Sequence, residues 1–257
     1  MIVFFRRLHN YYYILTAVLA LVIFYPLLWF FSRKPSRYRM MNHIRRLCCY
    51  MSATASGIFF RIKHEVPIDW SRTYIVCPNH TSNLDILSMS ITVKNNFHII
   101  SKAELMSNPL FSVFLKSVDI PVKRDSKISA FKAFKLAEDN LKNGRTLVIF
   151  PEGKIGDEYP PILHDFKNGP FRLAIQLKLP ILPITSLNTW QIQWDSGLKL
   201  GSSPGICDIF VHKPIETTYL SIDDADMLKD KVYNIINDKF NEANANKFTA
   251  LNNELVS

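Results

Sequence analysis

No charged side chain occurs between Tyr11 and Phe31. About 21 apolar residues suffice for one pass through a hydrocarbon core of roughly 30 Å. Arg6 and Arg7 precede the run, and Arg33, Lys34, Arg37, Arg39, Arg45 and Arg46 follow it. Tyr11, Tyr12, Tyr13 and Trp29 sit at its ends, where interfacial aromatics belong. A signal peptide fits worse, because the run is too long and no small-residue cleavage site follows. The positive charge after the run predicts that the following domain lies on the cytoplasmic face.

A second segment, Met40 to Phe60, mixes basic and apolar positions. Arg45 and Arg46 interrupt Ile44, Leu47, Cys48, Cys49, Tyr50 and Met51. This pattern suits an amphipathic helix on a membrane face, and it suits a core helix too. The expectation is a membrane-anchoring region at 1–60, with an apolar helix at 11–31 and a second helix at about 40–60.

From Arg61 onward, short apolar runs alternate with helical periodicity. Predicted strands are Ile58–Ile62, Thr73–Cys77, Phe97–Ile100, Ile120–Val122, Thr146–Phe150, Ile181–Leu187 and Asp208–Val211. Predicted helices are Leu84–Lys94, Leu105–Lys116, Lys127–Asn143, Gly169–Leu177 and Ile222–Asn241. Such alternation predicts an α/β fold with a mostly parallel central sheet flanked by helices, spanning 61–241. A polar, frayed tail is expected at 242–257.

Composition sharpens this only in part. The chain has 257 residues, 48% of them hydrophobic, and a net charge of +9. A basic surface points to polyanions: nucleic acid, anionic headgroups or phosphorylated substrates. Much of the excess charge flanks the apolar run, as topology requires, which argues against nucleic acid. The four cysteines, Cys48, Cys49, Cys77 and Cys207, form no CxxC pair. Cys77 lies near His80, but it sits inside an apolar strand and reads as a packed core thiol. His98, His164 and His212 have no carboxylate or thiol at metal-ligand spacing, so no metal is expected.

The chemistry gathers at Asn79-His80-Thr81-Ser82-Asn83-Leu84-Asp85, where the strand through Cys77 gives way to a helix. Sites collect at such edges. A neutral imidazole can take a proton from a hydroxyl, and a carboxylate can hold its other nitrogen. Residues five apart do not share a helical face, so the pair meets only if His80 precedes the helix. On spacing alone, a polar turn with an incidental histidine is the simpler reading.

Three further features follow in order. Lys123-Arg124 closes the strand Ile120–Val122, and an arginine there can grip phosphate in two-pronged fashion. Phe150-Pro151-Glu152-Gly153-Lys154 ends the strand Thr146–Phe150 and displays a carboxylate at a sheet edge. Leu179-Pro180-Ile181-Leu182-Pro183 feeds another strand. Lys167-Asn168-Gly169-Pro170 opens a helix whose first N–H groups favour anions.

Four of these motifs fall in order behind a membrane segment: His80-x-x-x-x-Asp85, Ile120-Pro121-Val122-Lys123-Arg124, Phe150-Pro151-Glu152-Gly153 and Leu179-Pro180-Ile181-Leu182-Pro183. Together they resemble the glycerolipid acyltransferase family, and most closely its 1-acyl-glycerol-3-phosphate acyltransferases. The resemblance covers roughly Arg61 to Lys213, and it extends to the Lys102-Ala103-Glu104-Leu105 stretch. It implies the glycerol-3-phosphate acyltransferase-like α/β fold and a donor that is an acyl-CoA or acyl carrier protein thioester, with no other cofactor. It implies a lysophosphatidic acid-like acceptor and membrane lipids as partners. It also implies roles: His80 as general base, Asp85 as its partner, and Arg124, with Lys123, on the acceptor phosphate. Glu152, Gly153 and Lys154 would bind the acceptor. Lys102 and Lys167 would support it, and Pro180 and Pro183 would line the acyl-donor side. The chain departs from the family at Val118, where glycine is usual, at Lys123, where aspartate is usual, and at Lys154-Ile155, where Thr-Arg is common. Those positions leave open another lyso-lipid acceptor, including an aminolipid. A catalytically dead membrane scaffold is the rival from a different class.

Overall fold

The computed structural model describes residues 1–123, 125–194 and 197–256, with side chains as far as residue 245. Seven strands make one sheet: β1 (Ile58–His64), β2 (Ile75–Pro78), β3 (Phe97–Lys102), β4 (Ile120–Val122), β5 (Thr146–Val148), β6 (Ile181–Ser186) and β7 (Gly205–Val211). Their spatial order is β1-β7-β6-β2-β5-β3-β4. All pairings are parallel except β6 with β7. Strands β2 to β6 therefore point one way, and their C-terminal ends share one edge.

Alternation along β2 explains the two cores. Ile75 and Cys77 face one side, and Tyr74 and Val76 the other. The first side packs against α5 (Lys127–Lys142), α6 (Gly169–Leu177) and α8 (Ala225–Val256) through Ala137, Leu141, Phe171, Val232 and Ile236. The second packs against α3 (Leu84–Thr92) through Met89. With both faces covered, β2 and β6 are buried along their whole length, which is why Ile75–Cys77 and Ile181–Ile184 read as apolar runs.

Three expectations need correction. The predicted helix Leu105–Lys116 is a 3₁₀ turn, Ala103–Ser107, followed by α4 (Pro109–Leu115). Pro109 lacks an N–H and suits a first turn, and the Asn108 side chain accepts from Leu110 N at 3.0 Å. The boundary after residue 60 cuts through β1, because the helix preceding it ends at Ala55. The segment 242–256 continues α8 and is no separate segment. It contains no glycine or proline to stop a helix.

Two helices precede the sheet, α1 (Ile2–Ser32) and α2 (Tyr38–Ala55). One side of α2 is built into the domain: Arg45 pairs with buried Asp119 at 2.9 Å, and Asn42 donates to Phe97 O at 2.8 Å. Its other side exposes Met40, Leu47, Tyr50 and Met51. The core-helix reading of this segment therefore holds for one face of α2, and the other face is exposed and apolar.

The longer α1 is roughly 46 Å in extent at 1.5 Å per residue. Near its start, Arg6 donates to Leu200 O at 3.0 Å and to Gln191 O at 2.9 Å, and Arg6 O accepts from Ser202 N at 2.9 Å. Near its end, buried Leu28 packs with Met41, Val113, Phe114 and Val118. The helix is therefore held to the α/β domain at both ends and lies along it. Its outward side carries Phe4, Leu8, Tyr11, Tyr12, Leu15, Leu19, Val22, Ile23 and Phe30, all exposed.

Candidate active site

His80 stands two residues beyond β2, and α3 begins at Leu84. The irregular turn between them brings together what a regular helix would separate. His80 Nδ1 lies 3.2 Å from Asp85 Oδ2, with the imidazole 5% exposed and Asp85 fully buried. Asp85 does not depend on the histidine for its fixity. Its Oδ2 accepts the backbone N–H of Thr81 at 2.7 Å and of Ser82 at 2.8 Å, while Oδ1 accepts Thr189 Oγ1–H at 2.6 Å. A buried carboxylate so supplied with donors keeps its place.

The imidazole plane is set from its other side by Phe150, at 4.1 Å between ring centres and 26° between planes. Asn79 stitches the strand ends together beyond the ladder. Its Oδ1 accepts Ser186 N at 2.7 Å and its Nδ2 donates to Ser186 O at 3.1 Å. With Nδ1 held by Asp85, Nε2 is the nitrogen left for a substrate proton, and no described residue bonds to it.

Glu152 corrects an expectation. It does not present its carboxyl to an acceptor, being only 4% exposed. Oε1 accepts the backbone N–H of His80 at 2.6 Å, and Oε2 accepts that of His164 at 2.9 Å. Both oxygens are spent on bracing loops, because the turn after β5 points the side chain under the His80 peptide. Burial pushes the Glu152 carboxyl up to about 8, and the two N–H donors offset part of that rise.

Gly153 has φ +74°, a left-handed conformation that suits glycine. A Cβ at that position would come 2.8 Å from Lys167 Nζ. The missing side chain leaves room for that ammonium beside the Glu152 turn. Lys102, Lys123, Lys154 and Lys167 are all exposed, at or beyond the C-terminal strand ends. Arg124 lies outside the described residues. The proline pair is split by the fold. Pro180 O accepts Ile75 N at 3.0 Å, at the opposite end of β2 from His80, so Pro180 is remote from the site edge. Pro183 is buried within β6, in register with Cys77. Cys77 is fully buried, and burial raises its thiol far above the usual range, as fits a packed residue rather than a nucleophile.

Sequence reasoning missed Thr189, in the short helix α7 (Thr189–Ile192) that follows β6. It is 104 residues from Asp85, and only the parallel pairing of β2 with β6 makes them neighbours. A hydroxyl residue just past a strand end at the site edge was the one available signal. The bracing N–H of His164 carried none.

Comparison with known proteins agrees with this fold. The chain is 28% identical over 208 residues to an uncharacterised acyltransferase of Schizosaccharomyces pombe, covering 80% of this chain and 68% of that one. It is 30% identical over 165 residues to mouse 1-acyl-sn-glycerol-3-phosphate acyltransferase alpha, covering 63% of this chain and 56% of that protein. The chain thus spans just over half of the mouse protein's length. The fold matches the crystal structure of the 1-acyl-sn-glycerophosphate acyltransferase PlsC from Thermotoga maritima, with a TM-score of 0.75 and 21% identity over 93% of this chain and 95% of that one. A sequence model of the Acyltransferase family matches residues 57–187, a span that holds His80, Asp85, Glu152 and every strand from β1 to β6, and the chain belongs to that family.

Proposed function

We propose that the protein transfers a fatty acyl group from a thioester, acyl-CoA or acyl carrier protein, to the free hydroxyl of 1-acyl-glycerol-3-phosphate, giving phosphatidic acid. The observation that carries this reading is the buried His80–Asp85 pair, 3.2 Å apart, with Nε2 unclaimed at the sheet edge. His80 Nε2 takes the hydroxyl proton as the oxygen attacks the thioester carbonyl. Asp85 holds Nδ1–H and stabilises the imidazolium. The C–O bond forms, the C–S bond breaks, and the proton passes from His80 to the departing thiolate. Attack is direct, with no acyl-enzyme. Exposed Lys102, Lys123, Lys154 and Lys167, together with Arg124, supply positive charge for the acceptor phosphate.

The reading includes a membrane seat on one leaflet, cytoplasmic by the positive-inside rule. The attachment of α1 at both ends supports a helix lying in the interface, because a spanning helix carries its far end some 30 Å from the domain. The deciding experiment offers purified protein in detergent a panel of lyso-phospholipids and aminolipids with both donor types. Acylation of lysophosphatidic acid above all others supports the proposal. Turnover of a different acceptor reassigns the headgroup, and turnover of none leaves the scaffold.

A further inference from the structure

We propose that the site edge carries a second lipid contact, formed by Met106, Phe111, Ile128 and Phe131, which seats the mouth of the site on an anionic bilayer. Its functional consequence rests on the acyltransferase reading above; the contact itself does not.

The argument starts at α5. Ala133, Ala137 and Leu141 repeat at four-residue spacing and fill the core. The opposite side of a surface helix is ordinarily polar. Here it carries Ile128 and Phe131, 70% and 74% exposed, in the first two turns. Single exposed apolar residues need no explanation, but a cluster does. Met106 and Phe111 are also exposed, on the 3₁₀ turn and α4 that follow β3. Since β3 and β4 are parallel neighbours, the turn after β3 and the start of α5 after β4 lie at one edge. That is the edge on which His80 sits.

Charge and continuity identify the occupant. Lys123, Lys127 and Lys132 are exposed around Ile128 and Phe131, against Asp125 and Glu104 among the acidic residues of these segments. An apolar centre with a lysine rim fits an anionic lipid surface. The helix α4 exposes Phe111 and packs Val113 and Phe114 with Leu28 of α1, so the cluster adjoins the far end of α1. A single helix lying in an interface leaves the domain free to roll about the helix axis. The loop through Leu200 and Ser202, which holds the start of α1, follows β6, whereas the second cluster follows β3 and β4. The central strand β2, with His80 beyond it, lies between the two. Because α1 itself reaches α4 on the β3–β4 flank, it is the placement of Ile128 and Phe131 on α5, across the sheet from α1, that stops the roll and turns the site toward the lipid.

The test uses the full chain bound to phosphatidylglycerol vesicles containing bromine-labelled lipid, with tryptophan emission as readout. Phe131→Trp is compared with Tyr219→Trp, whose position is 96% exposed in the loop after β7. That loop includes Ile215, bridged to the first residue of β6, and so lies at the opposite edge. Extra quenching is expected for Phe131→Trp only, and less of it on phosphatidylcholine vesicles. If Phe131→Trp is quenched no more than Tyr219→Trp, the cluster faces water, open to a protein partner such as an acyl carrier protein, and the proposal falls. A double variant, Ile128→Ser with Phe131→Ser, separates docking from chemistry. Its KM for long-chain acceptor in vesicles should rise about tenfold or more, with turnover of a monomeric short-chain acceptor unchanged. Equal loss on both acceptors also overturns the docking role. Should the parent protein acylate no lyso-phospholipid, the functional reading fails, and the quenching result still decides the contact.

Discussion

The hydroxyl of Thr189 donates to Asp85 Oδ1 at 2.6 Å, reaching across 104 residues of chain. It occupies the carboxylate oxygen that His80 does not use. Replacing it leaves a buried, charged acceptor short of a donor, a loss of about 1–3 kcal/mol. Thr189→Val should lower kcat about tenfold with both KM values little changed, and Thr189→Ser should restore most of it. A pH–rate profile of Thr189→Val that overlays the parent's would show that Asp85 is oriented without it.

Removing the base is more severe. His80→Ala should lower turnover by roughly 10²–10⁴ while the substrates still bind. Asp85→Asn should also be badly impaired, since the amide favours the wrong imidazole tautomer. The double variant should be little worse than His80→Ala, because the two act as one unit. Cys77→Ser should keep most of its activity. Wild-type rates from folded His80→Ala would remove the central chemical claim.

Glu152 makes two separable predictions. As a brace for the His80 and His164 peptides, Glu152→Ala should depress kcat more than it raises the acceptor KM, the reverse of what an acceptor ligand does. Its carboxyl, ordinarily near 4.5, is held near 8 by burial in the fold. Between those values the unfolded chain has lost a proton that the folded one keeps. Stability from this group therefore falls as pH rises from about 4.5 to about 8, and then levels. Urea midpoints across that range should decline less for Glu152→Gln than for the parent, and identical slopes would mean that the folded carboxyl is ionised.

Arg124 is testable without its geometry. If it grips the acceptor phosphate, Arg124→Ala should raise the acceptor KM about tenfold, the loss of one charge-assisted bond, and leave the donor KM alone. An unmoved acceptor KM would pass that role to the lysines at the same edge.

The attachment of α1 at both ends predicts its topology. Carbonate washing should leave the protein in the membrane pellet. Cysteines placed singly at the exposed ends, Ile2→Cys and Lys34→Cys, should both react with an impermeant thiol label from the same side of sealed vesicles. Labelling from opposite sides would require a spanning helix.

Much of this fold was legible because burial on both faces writes apolar runs into sequence. Ile75–Cys77 and Ile181–Leu182 could hardly be anything but central strands. The His80 turn was legible as far as its position, since a pair five apart can meet only ahead of a helix. What stayed hidden was long-range. Thr189 reaches Asp85 only through the adjacency of β2 and β6, and no local pattern encodes that. Glu152 looked like a displayed carboxylate because a Pro-Glu-Gly turn does not reveal which way it points. The apolar run at Tyr11–Phe31 spoke for lipid but not for orientation, which rests on Arg6 and Leu28 meeting the domain at opposite ends.

The proposed catalytic pair and the groups that position it come from three adjoining strands: His80 and Asp85 after β2, Phe150 and Glu152 after β5, and Thr189 after β6. Sites carried on peripheral loops often lose activity on warming well before the protein melts, because those loops open first. Here the supports are the innermost strands, the last part of the sheet to open. Heat inactivation should therefore coincide with global melting, and the enzyme's working range should extend close to the limit of its fold.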